Sequence, residues 1–233
     1  MNRFRRLHVA AQGHRANAPL RKIRAVPAST KARILLAAEE VFASQGFEGA
    51  STREIAAKAG VNISSLHYHW ESKDRLYDAV FRNVYGQLIE ISRDAVPPIG
   101  PRSESARNVS EASVGRIFDY FAANPNIPRL LLRRILENGE LGDAVEPDVF
   151  LSSWTRGLGE WMKRHGGRRV RDVDARAAVL TLHSALLLFT LDSRQYARAL
   201  GGGIADPEIA RRLRAYLVEV CARLVFAGPK PST

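Results

Sequence analysis

Between residues 62 and 73 of a 233-residue chain, hydrogen-bonding and aromatic side chains are crowded together: Ser64, Ser65, His67, Tyr68, His69 and, beyond Trp70, Lys73. Serine and histidine can bond base edges or phosphate oxygens, and a tyrosine ring can touch a thymine methyl while its hydroxyl reaches a phosphate. Lys73 falls in the first turn of an expected helix, where the macrodipole disfavours a cation by roughly a few tenths of a kcal/mol or more. A phosphate bound there by the free amides and the ammonium together would account for it. Thr52 and Arg53, at the start of an earlier helix, are placed to clamp the other side of a groove. These groups suit contact with a nucleic acid.

The elements that would carry them are helices. From Ser29 onward the apolar residues follow a helical period, with no alternating β-branched run bounded by hairpin turns. A first helix is expected from Thr30 to Gln45, with Ile34, Ala38, Val41 and Phe42 on one face and Gly46 as its stop. A second opens at Ser51-Thr52-Arg53-Glu54, where Ser51 and Glu54 have capping-box spacing, and ends at Gly60. Asn62 can cap a short third helix, and Ser72 a long fourth one with Leu76, Val80, Val84, Leu88 and Ile91 as its stripe, ended by Pro97-Pro98. Two short helices joined by a tight turn at Ala59-Gly60-Val61 make a helix-turn-helix, whose last helix enters the major groove.

Composition bounds the alternatives. Hydrophobic residues are 45% and charged residues 25%, values of a folded globular chain, and the length suits one small and one medium domain. The net charge of +11 favours an anionic partner. Residues 1–28 hold seven Lys or Arg and no acid, accounting for +7 and leaving +4 elsewhere. This segment is expected to be a disordered basic arm, either tracking DNA or merely solubilising the chain. Residues 29–75 are formally neutral, so their case rests on placement. No apolar run is long enough to span a bilayer and no export signal is evident, so a cytoplasmic protein without membrane attachment is expected. The single cysteine, Cys221, excludes an internal disulfide and reads as a small buried hydrophobe. No metal site, cofactor or catalytic residue is expected, because zinc-protease spacing, a phosphate-cradling loop after a strand and a plausible cysteine nucleophile are all missing.

The run Ser51-Thr52-Arg53-Glu54-Ile55-Ala56-Ala57-Lys58-Ala59-Gly60-Val61, followed by Leu66-His67-Tyr68-His69-Trp70 and Ser72-Lys73-Asp74, closely resembles the DNA-binding domain of TetR-type regulators. The resemblance covers roughly Thr30 to Val80. It implies an all-α homodimer of about nine helices, with an N-terminal three-helix helix-turn-helix domain (29–75) joined by a long fourth helix to a ligand-binding and dimerisation domain (76–228). It also implies that Thr52, Ser64, Ser65, His67, Tyr68, His69 and Lys73 lie at or near DNA. His67 stands where such proteins usually have Tyr, and Trp70 where they usually have Phe.

Past the fourth helix the motifs weaken. About five further helices are expected, separated by 124–128, 139–147, 166–167 and 201–203, with 172–200 and 206–226 the longest. Phe118, Phe121, Trp154, Trp161 and His183 are candidate lining residues for a small-molecule effector. The resemblance implies that the last two long helices pair across a two-fold axis, with Leu180, Leu187, Leu191, Leu213, Leu217 and Val220 as suitable positions. The expected activity is a repressor on a palindromic double-stranded operator, relieved by a small, apolar effector. A non-regulatory architectural DNA-binding protein and an enzyme with an unrecognised helical site are the competing readings.

Overall fold

Four helix starts in the first third of the chain are fixed by the side chain just before them. The computed structural model describes residues 29–93, 106–136, 156, 172–191 and 194–227, which are helical with short connections and contain no strand. Helix α1 (Thr30–Gly49) starts at Ser29, whose Oγ accepts from the Ala32 amide at 3.2 Å. Its regular part ends where expected: Gly46 has φ 77°, a left-handed value suited to glycine, and a single turn follows. Phe47 then folds back, its ring 6.3 Å from Phe42 and 5.0 Å from Tyr77.

Helix α2 (Thr52–Ala59) is capped by Ser51, which accepts from the Glu54 amide at 3.1 Å. The reciprocal half of the box gives way to another bond, with the Glu54 carboxylate accepting from the Gln45 amide. Helix α3 (Ile63–His69) starts at Asn62, whose Oδ1 accepts from the Ser65 amide at 2.7 Å. Helix α4 (Lys73–Arg93) starts at Ser72, which accepts from the Arg75 amide at 3.1 Å. Leu76, Val80, Val84 and Leu88 are buried as expected and Ile91 half-buried; Tyr77 and Phe81 widen the stripe. The expected stop at Pro97-Pro98 lies outside the described residues.

Helix α5 (Ala106–Ser110), a π turn (Glu111–Gly115) and α6 (Arg116–Ala123) follow one another through helical backbone angles. α7 (Asn126–Leu136) takes in Ile127 and Pro128, which the sequence reading assigns to a connection. Proline is tolerated there because first-turn amides have no helical acceptor. The expected single segment 172–200 is two helices, α8 (Asp172–Thr190) and α9 (Arg194–Leu200). At the end of α8 the Thr190 hydroxyl bonds back to the Leu186 carbonyl at 2.6 Å, as the Thr181 hydroxyl does to Ala177 within the helix. α10 (Pro207–Ala227) follows Asp206, whose Oδ1 accepts from the Glu208 amide at 2.8 Å, with Pro207 in the favoured first position.

Apart from α9, one apolar core runs through these helices, from Ile34 and Phe42 of α1 through Leu66, Leu76 and Tyr77 to Phe118, Leu130, Leu186 and Leu217. Cys221 is fully buried in it, and burial raises its thiol above the ordinary range. Helix α10 is clipped to α5–α6 by Arg214, which donates to Asp119 at 2.7 Å and to Glu111. Gly115 leaves room for the guanidinium, since a Cβ there would lie 2.7 Å from its Nη2.

Candidate nucleic-acid interface

The turn between α2 and α3 decides where the polar groups point. Gly60 closes α2 at φ 65°, its amide bonding back to Ala57 at 3.1 Å, and the Val61 amide reaches Ala56 at 3.0 Å. This is a glycine-dependent C-cap of the Schellman kind. Ile55, Ala56 and Ala59 of α2 face the core, and Leu66 is the buried residue of α3. A seven-residue helix is marginal alone, so Leu66 and the Asn62 cap hold it.

With Leu66 turned inward, Ser64, His67 and Tyr68 are exposed, Tyr68 at 85%. Ser65 and His69 are half-buried at the edge of this face, and the Tyr68 and His69 rings meet edge-on at 5.1 Å. Arg53 is exposed and Thr52 half-buried at the start of α2. An 85% exposed tyrosine on a helix this short contributes little to the core; its ring and hydroxyl are available to a partner. Trp70 packs partly against the core, with the Lys31 ammonium 4.8 Å from its ring.

Lys73, expected to anchor a phosphate, also makes contacts within the protein. Its ammonium donates to the Phe47 carbonyl at 2.9 Å and the Ala50 carbonyl at 3.3 Å, and lies 4.2 Å from the centre of the Phe47 ring. Two carbonyl acceptors and a ring face offset the unfavourable dipole without any phosphate. Lys73 therefore ties α4 to the segment linking α1 and α2. The missed signal is Phe47, the apolar residue after Gly46, which brings both acceptors and a ring to the start of α4.

The effector candidates do not form one described group. Phe118 and Phe121 are buried in α6, and His183 is half-buried in α8, where desolvation lowers its pKa below the ordinary imidazole value. Trp154 and Trp161 lie outside the described residues. The expected interface stripe also needs correction: Leu187, Leu213 and Leu217 are buried within the protomer, while Leu191 and Val220 are half-buried. These leucines sit on the inner faces of α8 and α10, which pack against each other; the exposed apolar groups are Leu180 at 47%, Leu188 and Tyr216 at 60%. Among the described residues no helix is long and apolar enough to cross a membrane.

Residues 34–80 match the family model for bacterial regulatory proteins of the tetR family. The HTH-type transcriptional repressor SCO4008 of Streptomyces coelicolor is 31% identical over 113 residues, 48% of this chain and 53% of that protein. The HTH-type transcriptional activator FasR of Mycolicibacterium smegmatis is 27% identical over 71% of each chain. The chain thus spans about half the length of the first relative and more of the second. The crystal structure of a TetR-like transcriptional regulator from a Rhodococcus species superposes with a TM-score of 0.58 at 19% identity, covering 86% of this chain and 97% of that one, and shares its fold. Residues 34–80 thus match the tetR family model, and the described helices share the fold of TetR-like regulators.

Proposed function

We propose that the chain is a sequence-specific transcriptional regulator, a homodimeric repressor that holds a palindromic operator and leaves it when a small, apolar effector binds residues 76–228. The observation that carries this reading is the exposed face of α3, where Ser64, His67 and Tyr68 stand out from a helix pinned by Leu66. Thr52, Arg53, Ser65 and His69 flank that face and supply phosphate and base-edge contacts. Lys73 serves by holding α4 in place. The outer faces of α8 and α10, with Leu180, Leu188 and Tyr216, form the dimer interface. Effector binding shifts the population away from the DNA-bound state through its differential affinity for the two.

Selection of bound sequences from random duplex DNA at a stated salt concentration tests this. The expected product is a palindrome with half-sites about one helical turn apart. An unliganded monomer that binds every duplex equally would overturn it. Since one relative is named an activator and another a repressor, a reporter driven by the selected operator decides the sign. Repression is expected.

A further inference from the structure

Arg133 and Arg134, neighbours in the last turn of α7, reach two different helices, α1 of the DNA-reading head and α4 that joins it to the body. Arg133 donates from Nε to the Ala43 carbonyl at 3.1 Å and from Nη2 to the Ser44 carbonyl at 2.7 Å. Arg134 is buried, with its guanidinium carbon 5.7 Å from the Tyr77 ring centre and 5.3 Å from that of Phe81, both on α4. The two carbonyls lie at the end of the regular part of α1, just before the break at Gly46. Terminal carbonyls have no acceptor role inside their own helix, and a cation beside them gains from the helix dipole. The planar guanidinium fork meets two adjacent acceptors at once, which a lysine ammonium does less well.

We infer that Arg133 fixes the orientation of the reading head on the body, and thereby sets which half-site spacings the dimer accepts. The inference rests on the dimeric operator reading above. Inserting one base pair between half-sites turns one against the other by about 35°, given roughly 10–10.5 base pairs per turn. Apolar packing between α1 and α7 resists separation but has no directional preference. Two hydrogen bonds from one rigid fork do have one, and they resist the pivot that a mismatched spacing demands. Arg133 is therefore a positioning residue for spacing.

The test uses full-length wild-type protein and the variants Arg133→Gln and Arg133→Lys. Each is titrated, at fixed salt, against duplexes carrying the selected half-sites at spacings stepped by one base pair, and against a single half-site. The wild type is expected to show a sharp optimum. Arg133→Gln should lose roughly tenfold at that optimum, the effect of about one charged hydrogen bond. Spacings one base pair away should change less, so that the profile flattens, and the single half-site should bind as before. Arg133→Lys should recover part of the optimum and carries the same expectation should the glutamine variant not fold. A wild-type spacing profile in the variants, or an equal loss at every spacing and at the single half-site, would overturn the inference. Wild-type protein that distinguishes no duplex from another overturns the operator reading itself, and this inference with it.

Discussion

The reading head and the body hold their helices by different means. In the head, Ser29, Ser51, Asn62 and Ser72 each cap the helix that follows within three residues, and Gly60 closes α2 by its own conformation. In the body, beside the local Asp206 cap on α10, described contacts span long stretches of sequence: Arg214 reaches Asp119 across 95 positions and Arg133 reaches Ala43 across 90. A head built from local signals can present a short polar helix with a single buried anchor. A body built from distant contacts depends on the whole chain being in place.

Several substitutions would sharpen or break that contrast. The largest effect is expected from Leu66→Ala, which removes the one buried side chain of α3 and should lower stability by about 2–5 kcal/mol in denaturant unfolding. A loss below about 1 kcal/mol would mean that α3 is held by something other than its core contact. Next, Lys73→Met should cost about 1.5–3 kcal/mol by removing charged bonds to Phe47 and Ala50. Its salt dependence of DNA binding should stay as in the wild type; a slope shallower by about one would instead assign Lys73 to a phosphate. Asn62→Ala removes a cap and should cost about 1 kcal/mol, visible as a lower melting temperature with the same fold.

The smallest effect is expected at His183, whose folded pKa is depressed by burial. Below about pH 6.5 the unfolded chain binds a proton there that the folded one does not, so the stabilising contribution is complete above that pH and is lost as pH falls. His183→Asn should flatten this part of the stability profile between pH 7 and pH 5, in roughly the range where an ordinary histidine titrates. An unchanged slope would place the acid sensitivity elsewhere.

The contrast also explains what the sequence could reveal. Caps, the Gly46 and Gly60 stops and the burial of Leu66 are written within a few residues of where they act, so the head could be read almost helix by helix. The Lys73 contact could not, because its acceptors lie 26 and 23 positions earlier and only meet it after α1 has turned at Gly46. In the body, the π turn at Glu111–Gly115 leaves no periodic signature, and the Arg214 guanidinium that packs against Gly115 comes from α10, far later in the chain. The leucines of α8 and α10 were legible as apolar but not as inward or outward, because helical spacing does not say which neighbour covers a stripe. Nor does a local pattern say which helices cover Phe118, Phe121 and His183, since that depends on three-dimensional contacts.

The central claim is that the exposed face of α3 reads base sequence, and its most direct test compares the wild type with the double variant His67→Ala, Tyr68→Ala. Affinity for the selected operator and for a scrambled duplex is measured at one salt concentration, with unfolding monitored alongside. Because both side chains are exposed, stability should change by less than about 0.5 kcal/mol. The account predicts that operator affinity falls toward that for scrambled DNA. A double variant that keeps wild-type affinity and wild-type preference would contradict it.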